Sequence, residues 1–147
     1  MHVVFVCTGN ICRSPMAEAL ARERHPAPGA TFASAGTLGL GDRPMTAEAV
    51  QVLDEAGVPA KHHSSRKLDA GLVAGADLIY VMEPGHTSWI ISRWPEAAGR
   101  VHLLDVEGRT IADPYGRPVH AYREARDRIG TALAARASEW THPPTQR

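Results

Sequence analysis

The chain has 147 residues, 44% of them hydrophobic and 22% charged, which suits a single globular domain with a buried core. Its 16 basic and 16 acidic residues cancel, so no global charge draws it to nucleic acid or to an anionic membrane. No apolar run approaches membrane-spanning length, and the expectation is a cytoplasmic protein without signal peptide or anchor.

In chain order, His2 to Val6 is β-branched and aromatic and reads as a buried strand. Pro15 to His25 reads as a helix, with Ser14 as N-cap and Pro15 at the first helical position, where a missing N–H costs nothing. Pro26, Pro28 and Gly29 stop it. Thr31 to Ser34 is a second strand closed by Ala35-Gly36, and Thr37 to Pro44 is a glycine-rich loop. Thr46 to Ala56 follows as a helix with Ala49, Val50 and Leu53 facing inward and Gly57 as its stop. Leu68 to Ala74 is a short helix, Asp77 to Met82 a third strand, Gly85 to Trp94 a helix and Val101 to Leu104 a fourth strand. Beyond a loop through Asp113-Pro114-Tyr115-Gly116, a long helix from Val119 to Trp140 keeps Tyr122, Ile129, Leu133, Ala137 and Trp140 on one face. The domain then spans 1–141, with 142–147 as a frayed tail.

This alternation predicts an α/β fold, a three-layer domain with a parallel sheet and helices on both faces. Ligands of such folds bind beyond the carboxyl ends of the strands, and Cys7 stands at that end of the first strand. Cys7 and Cys12 are the only cysteines, too few for a stapled framework or a tetrahedral zinc site. His63, His86 and His102 show no metal spacing either, and no metal or cofactor is expected.

A lone cysteine at a strand end is more often packing than chemistry. The segment Cys7-Thr8-Gly9-Asn10-Ile11-Cys12-Arg13-Ser14 is narrower than that. A tight loop that opens a helix turns backbone N–H groups inward above the positive end of the helix dipole, a nest for a dianion. Gly9 is expected to take the positive φ where the loop turns hardest. Arg13 adds a planar fork for two phosphate oxygens, and Ser14 can donate to a Cys7 thiolate while capping the helix. A thiolate beneath a cup that neutralises phosphate oxygens is what in-line phosphoryl transfer to sulfur needs. A nucleotide-binding loop is excluded, since no Gly-Lys-Ser/Thr follows.

Cys7 to Pro15 resembles the signature C-x-G-N-I-C-R-S-P of the low-molecular-weight protein tyrosine phosphatase family. The likeness continues through Ser34-Ala35-Gly36, His62 and Asp113-Pro114-Tyr115. The resemblance implies a four-stranded parallel sheet with the phosphate-binding loop after the first strand. It implies Cys7 as nucleophile, Arg13 as phosphate clamp, Ser14 as thiolate donor and Asp113 as general acid. Asn10 would brace the loop, with Ser34 and His62 supporting it, and Thr8, Gly9, Ile11 and Cys12 would complete the cup. Protonating a phenolate leaving group gives Asp113 a chemical reason, although Asp-Pro is also a common turn. Cys12 is open to two readings, a reserve thiol that forms a reversible disulfide with Cys7 or a small buried filler.

The implied partner is a phosphotyrosine protein or peptide, at family level a bacterial tyrosine kinase, and the implied state a monomer or weak dimer. Two departures bear on substrate. Gly116 stands where a second tyrosine often follows, and the loop from Thr37 to Asp42 lacks an aromatic wall and offers Leu38 and Leu40. Tyr115 is then the main aromatic wall. Gly116 and Ser64-Ser65 also resemble bacterial arginine phosphatases of the superfamily, which carry threonine where Ile11 stands here. Arginine phosphatase or small-molecule phosphatase are therefore alternatives. An arsenate reductase commonly needs further cysteines, and a phosphocysteine carrier or a silent phosphate module would not need Arg13 and Asp113 together.

Overall fold

The computed structural model describes residues 1–60 and 62–143. The strands are β1 (His2–Cys7), β2 (Thr31–Gly36), β3 (Leu78–Val81) and β4 (Val101–Leu103). They form one parallel sheet in the order β2-β1-β3-β4. The helices are α1 (Arg13–Arg24), α2 (Ala47–Glu55), α3 (Ala70–Gly75), α4 (Pro84–Arg93), α5 (Val119–Arg136) and α6 (Ser138–Thr141), with a 3-10 segment at Pro95–Arg100. Most of the expected tail, at 144–147, lies outside the described residues.

β1 is buried from Val3 to Cys7 because both sheet faces are covered, and its period-two alternation splits it between two cores. Val3, Phe5 and Cys7 join Met16, Leu20, Ile129, Leu133 and Trp140 beneath α1 and α5. Val4 and Val6 join Ala35, Ile79, Val81, Val73 and Ile90 on the opposite face. Trp140 closes the first core, its ring edge-on to Phe32 at 5.8 Å and its indole N–H donated to the His25 carbonyl at 2.9 Å.

Three local expectations need correction. Ser14 is not the N-cap of α1: the helix begins at Arg13, capped by Cys12 without a side-chain bond, because the Ser14 hydroxyl is spent on Cys7 and Asn10. Pro15 falls within the first turn, where its missing N–H still costs no helical bond. In α2, Val50 is exposed and Val52 is buried beside Ala49 and Leu53, since the helix starts after the Thr46 cap and its inner stripe runs through 49, 52 and 53. The last helical run is interrupted at Ala137, where the Trp140 N–H bonds only three residues back and α6 begins.

Strand order reverses between β1 and β3, so their carboxyl ends open a crevice of the kind that receives ligands. Gly36, at the same end of β2, lets the loop after β1 pass against it. A Cβ there would meet the Thr8 carbonyl oxygen at 2.6 Å.

Candidate active site

Cys7 ends β1, residues 8–12 turn above it, and Arg13 starts α1, whose first N–H groups have no helical acceptor. Cys7 is 2% exposed, its sulfur 3.0 Å from the Ser14 hydroxyl and 3.3 Å from the Asn10 backbone N–H that donates to it.

The turn is made by Asn10, not Gly9. Asn10 has φ 58, whereas Gly9 is not in the left-handed region. Asparagine tolerates this conformation, and here its side chain is fully used. Its amide donates to Ser14 Oγ at 2.8 Å and Ser34 Oγ at 2.9 Å, and its Oδ1 accepts the Arg66 N–H at 3.0 Å. A Cβ at Gly9 would meet Leu40 Cδ1 at 2.9 Å, a contact that the flexible end of the leucine can relieve. The relay continues outward, since Ser34 donates to Glu18 at 2.7 Å and Glu18 pairs with Arg22. His62 does not support the loop. It is exposed, and its neighbour His63 holds the Asn10 carbonyl through Nε2 at 2.7 Å.

Arg13 is 1% exposed. Its Nη1 is committed twice, to Glu83 Oε2 at 2.7 Å and to the Ile111 carbonyl at 2.8 Å. The opposite edge has Nη2 at 3.7 Å from Asp113 Oδ2 and an Nε with no partner among the described residues. That edge is a two-donor fork at the cavity. Glu83, two residues past β3 and the N-cap of α4, orients the clamp and escaped the sequence reading. A carboxylate just after a strand at the reversal point was the available signal. Burial pushes the Glu83 carboxyl up, but the Arg13 hydrogen bond and charge prevail and hold it below its ordinary range.

His86 also went unassigned. It is 4% exposed and its Nε2 lies 2.9 Å from the Thr8 hydroxyl, tying α4 to the loop. Burial, then the charge of Arg13, lowers its pKa to about 4, so it is neutral at physiological pH. Cys12 is capped by weak contacts to Tyr122 and Thr46 at 3.5 and 3.6 Å, and burial pushes its thiol up.

The cavity, about 220 Å³, is lined by Cys7, Thr8, Gly9, Ile11, Cys12 and Arg13 at the bottom and by Leu38, Leu40, Asp113 and Tyr115 at the mouth. Asn10, Ser14 and Ser34 lie behind it as buried braces. Arg43 lines the mouth as well, a residue that sequence spacing did not single out. Asp113 forms the turn weighed for it, Oδ1 accepting the Tyr115 N–H at 3.1 Å, while Oδ2 lies 3.7 Å from Arg13 Nη2. No three potential metal-ligating side chains gather among the described residues. Chemically, a buried sulfur, a fork of donors above it and a half-exposed carboxyl at the mouth suit displacement at a tetrahedral oxyanion.

The family model described as low molecular weight phosphotyrosine protein phosphatase matches residues 2–141. A protein-arginine-phosphatase of Geobacillus stearothermophilus is 40% identical over 136 residues, 90% of each chain. The low molecular weight protein-tyrosine-phosphatase Etp of Escherichia coli is 36% identical over 140 residues, 94% of this chain and 90% of Etp. Among solved structures, Vibrio vulnificus Wzb in complex with benzylphosphonate aligns with a TM-score of 0.88 at 34% identity, covering 94% of this chain and 97% of the other.

Proposed function

The chain belongs to the low molecular weight phosphotyrosine protein phosphatase family, and on that premise we propose that it hydrolyses phosphotyrosine through a phosphocysteine formed on Cys7. The observation that carries this reading is the split use of Arg13: one nitrogen is anchored to Glu83 and Ile111, while Nε has no partner among the described residues and Nη2 faces Asp113 at the cavity that Cys7 also lines. The dianion is gripped by that edge and by the loop amides. The Cys7 thiolate forms the S–P bond as the P–O bond to tyrosine breaks, and protonated Asp113 gives its proton to the departing phenolate. The Asp113 carboxylate then takes a proton from water as it attacks phosphorus, releasing phosphate and the Cys7 thiolate. Ser14 and the Asn10 N–H stabilise the sulfur as leaving group in that second step.

The acting domain is residues 1–141, working in the cytoplasm as a monomer or weak dimer, with a bacterial tyrosine kinase as natural substrate. The location reading is supported by the absence, among the described residues, of any helix long and apolar enough to cross a membrane.

Two measurements test the chemistry together. Rapidly quenched enzyme should carry phosphate on Cys7 by peptide mass spectrometry, and Cys7→Ser should abolish turnover. Asp113→Asn should slow phenyl phosphate about 10²–10⁴-fold, and p-nitrophenyl phosphate far less, because nitrophenolate departs without a proton. Equal losses on both substrates would remove Asp113 from the acid role.

Hydrolysis of phosphoarginine is the second reading, favoured by the relative named as a protein-arginine-phosphatase. Ile11 opposes it, since this nearly buried side chain at the cavity wall offers no hydroxyl to a guanidinium. Phosphotyrosine and phosphoarginine peptides assayed side by side, with Ile11→Thr as companion, decide between them.

A further inference from the structure

The walls above the cup cannot tell one phosphotyrosine from another. Ile11, Leu38, Leu40 and Tyr115 are apolar surfaces that suit any phenyl ring. Discrimination needs a feature that meets the residues flanking the ring, and the mouth has one. Arg43 lines the cavity from the loop between β2 and α2, and its side chain has no ion pair or hydrogen bond among the described residues. Arg22, Arg100, Arg123, Arg126 and Arg136 are each bound to carboxylates or carbonyls; Arg24 and Arg117 share the lack of a side-chain partner among the described residues but do not line the cavity. Asp113, the other charge at the mouth, is engaged with the Tyr115 N–H and faces Arg13.

The position of Arg43 is also built. Its N–H donates to the Ser65 hydroxyl at 3.1 Å, its carbonyl accepts the Ser65 N–H at 2.8 Å, and the same hydroxyl donates to the Gly41 carbonyl. Ser65 is 3% exposed, so a buried serine clamps the loop from behind and delivers the guanidinium to the rim. A second serine, Ser64, donates to Asp42 at 3.3 Å next door. A fixed backbone carrying an uncompensated planar cation is suited to meeting a carboxylate outside the ring pocket.

We infer that Arg43 is a specificity-determining residue that selects phosphotyrosines whose neighbouring residues are acidic. The inference deepens the phosphotyrosine reading and rests on it. An exposed rim charge acts mainly on encounter and is screened by salt, so its effect is a matter of several-fold, not of orders of magnitude.

The test compares kcat/KM for two phosphotyrosine peptides that differ only in carrying Glu or Gln on both sides of the phosphorylated residue. The enzymes are wild type, Arg43→Gln and Arg43→Glu, with melting temperatures recorded to show that each is folded. The Glu-over-Gln ratio should be about threefold to tenfold for wild type at low salt, near one for Arg43→Gln and below one for Arg43→Glu. The wild-type preference should shrink toward one above roughly 0.5 M salt. Because both peptides share one ring and one phosphate, any common loss of chemistry cancels in the ratio. A ratio that is the same in all three enzymes overturns the inference. Wild type hydrolysing both peptides equally well also sinks it while leaving the phosphotyrosine reading intact; hydrolysis of neither sinks both.

Discussion

The floor and the mouth of the cavity are built on opposite principles. On the floor, Cys7, Asn10, Arg13 and Ser14 are essentially sealed from solvent, and Asn10 alone bonds to five partners. At the mouth, Leu38 is 52% and Tyr115 58% exposed, and Arg43 has no partner among the described residues. A buried polar network couples its members, so each floor residue is determined by the others. Exposed side chains at the mouth are coupled to little but the substrate. The chemistry is therefore rigid and the choice of substrate adjustable, by the same logic that places variable loops on constant scaffolds.

The largest effect should come from the clamp. Arg13→Lys keeps a charge but loses the fork and the simultaneous hold on Glu83 and Ile111. Turnover of an aryl phosphate should fall about 10³-fold, and a loss under tenfold would show that charge alone suffices on the floor. Next is Asn10. Asn10→Ala strands Ser14, Ser34 and the Arg66 N–H and leaves an alanine at φ 58. Denaturant unfolding should report a loss of about 2–4 kcal/mol. Asn10→Gly relieves the backbone but not the hydrogen bonds, and should recover about 1 kcal/mol of that.

His86 gives a pH test. Held at about 4 against an ordinary 6.5, it refuses a proton that the unfolded chain accepts between those values. Its contribution to stability is complete above about 6.5 and lost as pH falls toward 4, by at most about 3 kcal/mol. Glu83 is depressed below 4.5, so its own loss comes at still lower pH. Chemical unfolding across this range should show wild type losing more stability than His86→Gln; parallel curves would mean that the imidazole is not excluded from protonation. The smallest effect belongs to the mouth: Tyr115→Ala should lower kcat/KM for a phosphotyrosine peptide about threefold to tenfold, the worth of one exposed aromatic contact. A loss comparable to that of Arg13→Lys would break the division between floor and mouth.

How much could be read in advance divides along the same line. The strand–helix alternation, the parallel sheet and the segment from Cys7 to Ser14 were legible, because hydrophobic period and a strand–loop–helix unit are local properties of contiguous residues. Within that unit, glycine frequency pointed to Gly9 for the positive φ. Asn10 took it because its amide could repay the strain with bonds that lie 24 and 56 residues away. Serine before proline pointed to an N-cap at Ser14, whose hydroxyl faces the sulfur instead.

What the sequence by itself determined, then, is the order of elements and the cup, since both are encoded over a few consecutive residues. Tertiary structure decided the rest. Topology places the end of β3 beside the end of β1, and only that brings Glu83 to Arg13 and His86 to Thr8. The path of residues 62–66 behind the loop decides that His63, not His62, meets Asn10 and that Ser65 presents Arg43. Contacts between distant segments depend on where the sheet sets their backbones, and no local pattern carries that information.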